Sequence, residues 1–389
     1  MKNFTYRQPT KIVFGAGTHE KTGEEVLPVA KKVLLHYGGR SAVESGLIDR
    51  VKESLARAGV QYVELGGVQP NPRLSLVEKG IETVRREGLE AVLAVGGGSV
   101  IDSSKAIAAG AMYEGGVWDF FSGKACVEKA LPVVTVLTIP AAGSEASNSC
   151  VITNEDGQVK KGIHSELVRP VVSVLDPTLT YTLPAYQTAA GGADIMAHVM
   201  ERYFTNEKDV DFTDRLCEAT LRTIIRNLPL ALASPSDYAP RAEMMWASTI
   251  AHNDLLSTGR VGDWASHAIA HQPSALYDLT HGAALSIIFP AWMKYVYRHD
   301  VRRFVQFAVR VWGVEEDFSD PERTALEGIA RTERFFASAG MPVTFSQAGI
   351  PYSRFGEMAD RATAGDTVKI GNFVPLGRDD IYEIYHMAL

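Results

Sequence analysis

Cysteine is scarce in this chain. Cys126, Cys150 and Cys217 are too few among 389 residues, too far apart and odd in number for a disulfide framework. None belongs to a Cys-x-x-Cys pair, which argues against a thiolate zinc site and fits a reducing cytosol. Lysine- and arginine-rich runs are also missing and the formal net charge is −7, so neither nucleic acid nor a membrane is expected as a partner. No apolar run approaches the ~20 residues of a membrane span. The opening MKNFTYRQPTKIVF lacks the uninterrupted apolar core of a secretory signal. What is present, 46% hydrophobic and 22% charged residues, is the balance of a soluble globular protein with length for two domains. A cytoplasmic protein is expected.

The first half alternates short β-rich runs with helical patterns. Strands are predicted at 11–14, 32–37, 60–65, 91–95, 133–139 and 171–175, and helices at 41–59 and 74–88, both ending in glycine. Such alternation implies a mostly parallel sheet covered by helices. After DPTLTYTLPAYQTAAGG (176–192) helical periodicities dominate and strand runs all but vanish. The expected division is an α/β domain over 1–185 and a mainly helical domain over 186–389.

Two turns of the first half suit close backbone approach by a ligand. AVLAVGGGSVID (91–102) runs from an apolar strand through Gly96, Gly97, Gly98 and Ser99 into a helix whose N-terminus offers N–H groups to a pyrophosphate. The motif is not G-x-G-x-x-G, and a plain tight turn reads as well. HYGGRS (36–41) follows an earlier strand and holds no acid to bind a ribose 2′-hydroxyl, which leans toward NADP over NAD. Arg40 there is alternatively a solvated loop residue. TIPAAGSEAS (138–147) is a third, weaker candidate.

Histidine, by contrast, gathers in the second half. GGADIMAHVMERYF (191–204) places Asp194 and His198 four residues apart, hence on one helix face among apolar neighbours. Burying that carboxylate is costly unless something pairs with it. His267 and His271 form a second i,i+4 pair, and His281 follows after an expected helix break at Gln272-Pro273. A lone histidine on such a face is more often a core or surface residue; two pairs and a third histidine together suit a divalent first-row metal. Neither pair is H-E-x-x-H, so the usual base of metal-assisted peptide hydrolysis is missing.

GGGSVID, GSEAS, DPTLTYTLP, GGADIMAHVMERYF and HAIAH…YDLTHG, in this order, resemble the iron-containing (group III) alcohol dehydrogenases. GDWASHAIAH and IIFPAWMKYVY bring the resemblance nearest to the butanol dehydrogenase branch of broad aldehyde reductases. The resemblance implies a Rossmann-like N-terminal domain and a helical C-terminal metal-binding domain, the architecture shared with dehydroquinate synthase. It implies NADP(H) or NAD(H), one Fe2+ or Zn2+ ion, an aldehyde or alcohol substrate, and a homodimer. By motif position it assigns the metal to Asp194, His198, His267 and His281, and a proton-relay or cofactor-contacting role to His271. It assigns cofactor contacts to Gly38, Gly39, Ser41, Asn71, Gly97, Gly98, Ser99, Asp102, Thr138, Ser147, Lys160 and Leu179. The chain departs from the family at Ala142, where a threonine is usual, and at Gln272-Pro273, where an acid often follows the second histidine.

The expected chemistry is hydride transfer between NAD(P)H and short- to medium-chain aldehydes or primary alcohols, with the metal stabilising the alkoxide. A cyclising lyase of the dehydroquinate synthase type would need a basic pocket for its sugar phosphate, and the stretches around the candidate ligands are apolar. A non-catalytic nucleotide-binding protein would be favoured by a broken ligand set, and all four candidates are present.

Overall fold

The computed structural model covers residues 1–389 and describes every side chain except those of Arg40 and Ser41. The chain divides into two compact units. One comprises Arg7–Leu183 with Pro235–Met245; the other comprises Met1–Tyr6, Pro184–Ser234 and Trp246–Leu389. Two segments depart from a single division at 185/186. Met1–Tyr6 joins the second unit, where the Lys2 amide donates to Gly259 O at 2.9 Å and the terminal ammonium to Lys208 O at 3.1 Å. Pro235–Met245 joins the first, where Met245 is buried with Val68, Ala94, Leu137 and Leu175.

In the first unit, β1 (Lys11–Phe14), β2 (Lys32–Gly38), β3 (Gln61–Val68), β4 (Ala91–Gly96), β5 (Val133–Leu137) and β8 (Val172–Leu175) form one parallel sheet in the order β1-β8-β5-β4-β2-β3. Alternation along β2 supplies both of its faces. Val33 and Leu35 pack with Leu47, Ile48, Val51 and Leu55 of the Leu47–Ala58 helix. Leu34 packs with Val77, Ile81 and Val84 of the Leu74–Glu87 helix. The helix expected over 41–59 is broken in two by Gly46, whose φ of 70° ends one segment at Glu44 and starts the next at Leu47. The chain runs outward from β2 to β3 and returns across β2 to β4, so the carboxyl ends of β2 and β4 flank a switch point where ligands of such sheets bind. A separate hairpin of β6 (Ser149–Asn154) and β7 (Val159–His164) has no counterpart in the sequence reading.

The second unit carries no named strand. Its central helix, Ala185–Tyr203, is buried from Thr188 onward, and Ala265–Tyr277 and His281–Val296 pack nearby. Pro273 does not end the helix that contains it; that helix runs on to Tyr277. Proline removes the hydrogen bond to the carbonyl four residues back, here Ile269. The buried Tyr385 hydroxyl donates to that carbonyl at 3.0 Å and replaces the missing bond. Among the described residues no helix is long and apolar enough to cross a membrane.

Candidate metal centre

Asp194 and His198 face the same way from Ala185–Tyr203, with His198 Nε2 3.4 Å from Asp194 Oδ1. His281 opens its helix beside them, its Nε2 4.0 Å from the same oxygen. This approach depends on Gly282: a Cβ there would lie 2.0 Å from Ala190 O, one turn before Asp194. Asp194, His267 and His281 each bring a ligand atom within 4.8 Å of the other two. His198 stands against this trio, its ring centroid 4.5 Å from that of His267. Both His198 ring nitrogens are buried without a hydrogen bond. Burial holds its pKa well below the ordinary histidine value, and His252, His267, Arg202 and His281 add repulsion. His198 is therefore a neutral imidazole, the form that ligates metals. Buried imidazole nitrogens next to a carboxylate are a donor set that fits a divalent first-row ion. His271 lies one turn beyond His267, half-buried, with its ring 5.6 Å from that of His281.

Two contributors escaped the sequence reading. Glu201, fully buried two turns after Asp194, accepts from His267 Nδ1 at 2.8 Å, from the His267 amide at 2.9 Å and from the Trp264 amide at 2.5 Å. Burial pushes its pKa up to about 8, against the hydrogen bonds from His267 and Trp264 and the charge of Arg202. A divalent cation beyond the imidazole would oppose that rise. His252 packs its ring 4.3 Å from that of His198. Nothing local in the sequence marks His252. Glu201 is legible only as the i+3 neighbour of His198.

In the first unit Gly38, Gly97, Gly98, Ser99 and Thr138 of the expected cofactor residues lie at the carboxyl ends of the adjacent strands β2, β4 and β5, whereas Asp102 lies within a helix and Lys160 within the β6–β7 hairpin. Gly38 ends β2; Gly97 caps, and Gly98 and Ser99 begin, the Gly98–Ala111 helix after β4; the Thr138 amide after β5 donates to Gly96 O at 3.0 Å. Ala142 stands beside this turn, since a Cβ on Gly98 would lie 3.8 Å from its own. Asp102 is engaged within the protein: it accepts from the Ser144 hydroxyl at 2.5 Å and the Val151 amide at 3.0 Å. Lys105, fully buried, donates to Ser144 O, Ser147 O and Ser149 O, so Asp102 and Lys105 together pin the loop that carries Ser147. Asn71, left-handed at φ 55°, accepts from Lys160 at 2.9 Å. Leu179 packs against the core that contains Val172 and Val174. Gly39 is exposed, while the Arg40 and Ser41 side chains lie outside the described residues.

Comparison with known proteins agrees over nearly the whole chain. Residues 9–177 match the family described as iron-containing alcohol dehydrogenase, and residues 188–389 its C-terminal family. The probable NADH-dependent butanol dehydrogenase 1 of Bacillus subtilis (strain 168) is 44% identical, with 100% of each chain covered. The NADPH-dependent aldehyde reductase YqhD of Escherichia coli (strain K12) is 36% identical, again over 100% of both. A crystal structure of the NADH-dependent butanol dehydrogenase A of Thermotoga maritima superposes with a TM-score of 0.97 at 43% identity, covering 100% of this chain and 99% of that one. The chain belongs to the iron-containing alcohol dehydrogenase family, in the branch of these butanol dehydrogenases and this aldehyde reductase.

Proposed function

We propose that this oxidoreductase interconverts short- to medium-chain aldehydes and primary alcohols, with one Fe2+ or Zn2+ ion held by Asp194, His198, His267 and His281. The observation that carries the metal reading is His198, whose two ring nitrogens are buried without hydrogen bonds beside a carboxylate and two further imidazoles. When bound, the ion supplies Lewis acidity toward a carbonyl oxygen and the nicotinamide supplies hydride. The chain's own part is to present imidazole nitrogens, that of His198 in its neutral form, to exclude water with the apolar residues around Asp194 and His198, and to move a proton. His271, half-buried beside His281, is the proposed carrier of that proton on an imidazole nitrogen. His198→Ala should empty the site and abolish turnover; full metal occupancy with near-normal activity would sink the assignment.

NADP(H) is the proposed preferred cofactor, bound through the glycine turns after β2 and β4. Support comes from the missing acid: β2 ends on Gly38, and Gly39 has open space where a side chain would stand. The relatives named above include NADH- and NADPH-dependent enzymes, so the ratio has to be measured here. A charge-assisted hydrogen bond contributes about 1.5–3 kcal/mol, which for one contact corresponds to roughly ten- to a hundredfold in kcat/KM. Gly39→Asp should erase that preference and leave metal content unchanged; equal use of both cofactors by the wild type would refute it. The same reading places the enzyme in the cytosol as a homodimer. The cytosol is supported by three cysteines that are all free.

A further inference from the structure

The segment before His267 is shaped to meet one carboxylate. Trp264 adopts a left-handed conformation at φ 68°, which a bulky residue rarely holds, and this turns its amide onto Glu201. Gly262 passes so close that a Cβ would lie 3.0 Å from Glu201 O, and the Asp263 amide donates to that oxygen at 2.7 Å. Arg202, the next residue, lays its guanidinium over the Trp264 ring at 4.7 Å and donates to His198 O at 2.7 Å. Glu201 thus caps the first turn of the Ala265–Tyr277 helix from outside it. The same oxygen that takes the His267 amide also takes His267 Nδ1.

We propose that Glu201 is the positioning residue of the metal centre, a proposal that rests on the metal reading above. By accepting from Nδ1 it fixes the His267 tautomer with its proton there and turns the Nε2 lone pair toward Asp194 and His281. By accepting both backbone amides it fixes where the ring starts from. One buried carboxylate therefore sets the tautomer, the ring plane and the backbone origin of a single ligand. Outer partners of this kind change metal affinity by about 10–100-fold.

The test is a Co2+ titration of the apoprotein followed by visible absorption, on wild type, Glu201→Gln, Glu201→Asp, His267→Ala and the Glu201→Gln/His267→Ala double variant. Glutamine keeps the size but sets an amide donor against the Trp264 or His267 N–H. Its affinity should fall by about 10–100-fold with an altered ligand-field spectrum, while the circular dichroism stays native. Glu201→Asp keeps both acceptors on a shorter stem and should lose less. In the His267→Ala background, Glu201→Gln should cost nothing further, because its route to the metal is gone. Wild-type affinity and spectrum in Glu201→Gln overturn the proposal, as does an equal loss in both backgrounds, which would mark a merely structural residue. Should wild type itself fail to bind Co2+, the metal reading falls, and this proposal with it.

Discussion

Asp194 and Asp214 are both buried aspartates of the helical unit, and they are surrounded in opposite ways. Asp214 is met by cations of the chain itself. Arg303 grips both its oxygens at 2.5 and 2.6 Å, Arg260 adds a contact at 2.8 Å, and Gln306 donates at 2.9 Å. Burial alone would raise its pKa, but the hydrogen bonds and charge of Arg303, with Gln306 and Arg260, outweigh it and hold the carboxyl below its ordinary value. Asp194 meets imidazoles instead, and one of them, His198, has no hydrogen bond at either nitrogen. Fixed arginines make a site that is complete in the folded chain; imidazoles around a carboxylate make one that the proposed cation would complete. On the proposed metal reading, similar burial serves stability in the first case and binding in the second.

The contrast breaks most cleanly by substituting the two carboxylates. Asp194→Asn should lower Co2+ affinity by more than the ~100-fold expected of an outer partner and stop turnover, while leaving apoprotein stability close to wild type. Asp214→Asn leaves two arginines facing a neutral amide in the interior, and breaking a buried pair costs about 3–5 kcal/mol. Urea denaturation with parallel metal analysis separates the two, and the same loss of stability from both would erase the distinction. The thermal shift on adding metal sharpens it. A ligand at 100 times its Kd stabilises by about 2.7 kcal/mol, a gain that Asp214→Asn should keep and Asp194→Asn should lose.

Acid should expose the pair at Asp214 next. A carboxyl held below its unfolded value, near 3.9, contributes stability that is fully present above that value and lost as pH falls through its lower folded value. The stability gap between wild type and Asp214→Asn should therefore be constant from pH 7 to about 5 and narrow below 4. A gap unchanged down to pH 2 would show that the carboxylate's charge is not what the arginines hold. The smallest effect is expected at Tyr385→Phe, which leaves the Ile269 carbonyl without its donor in the helix of His267. About 1 kcal/mol of stability should be lost, with Co2+ affinity unchanged. A drop in affinity would mean that this helix feeds the metal centre through its backbone as well.

Which of these features the sequence disclosed follows from how local they are. Asp194 with His198, and the glycines that end helices at 59 and 88, are written within one turn of chain, and the structure contains those helices. The inner strands β2, β4, β5 and β8 announced themselves as apolar runs because both faces are covered, while β1 and β3 are partly exposed at the edges. The hairpin was missed because β7, with Lys160 and Lys161, is largely exposed and has no apolar run. Pro273 was misread as a break because the donor that rescues Ile269 lies 116 residues away. Glu201 looked like one more helical acid because the amides it takes lie 63 and 66 residues on. Arrangements closed by distant partners leave no periodic trace.

The bond from Tyr385 to Ile269 also sets an order of events during synthesis. The helix of His267 can coil as soon as it leaves the ribosome, but with a proline in it one carbonyl must be given to water. That carbonyl finds its donor only when residue 385 has emerged and the Arg378–Met387 helix has docked. The proline-bearing turn of this helix, in the middle of Ala265–Tyr277, is thus finished only after a further 116 residues have emerged, and until then it stays open to local fraying.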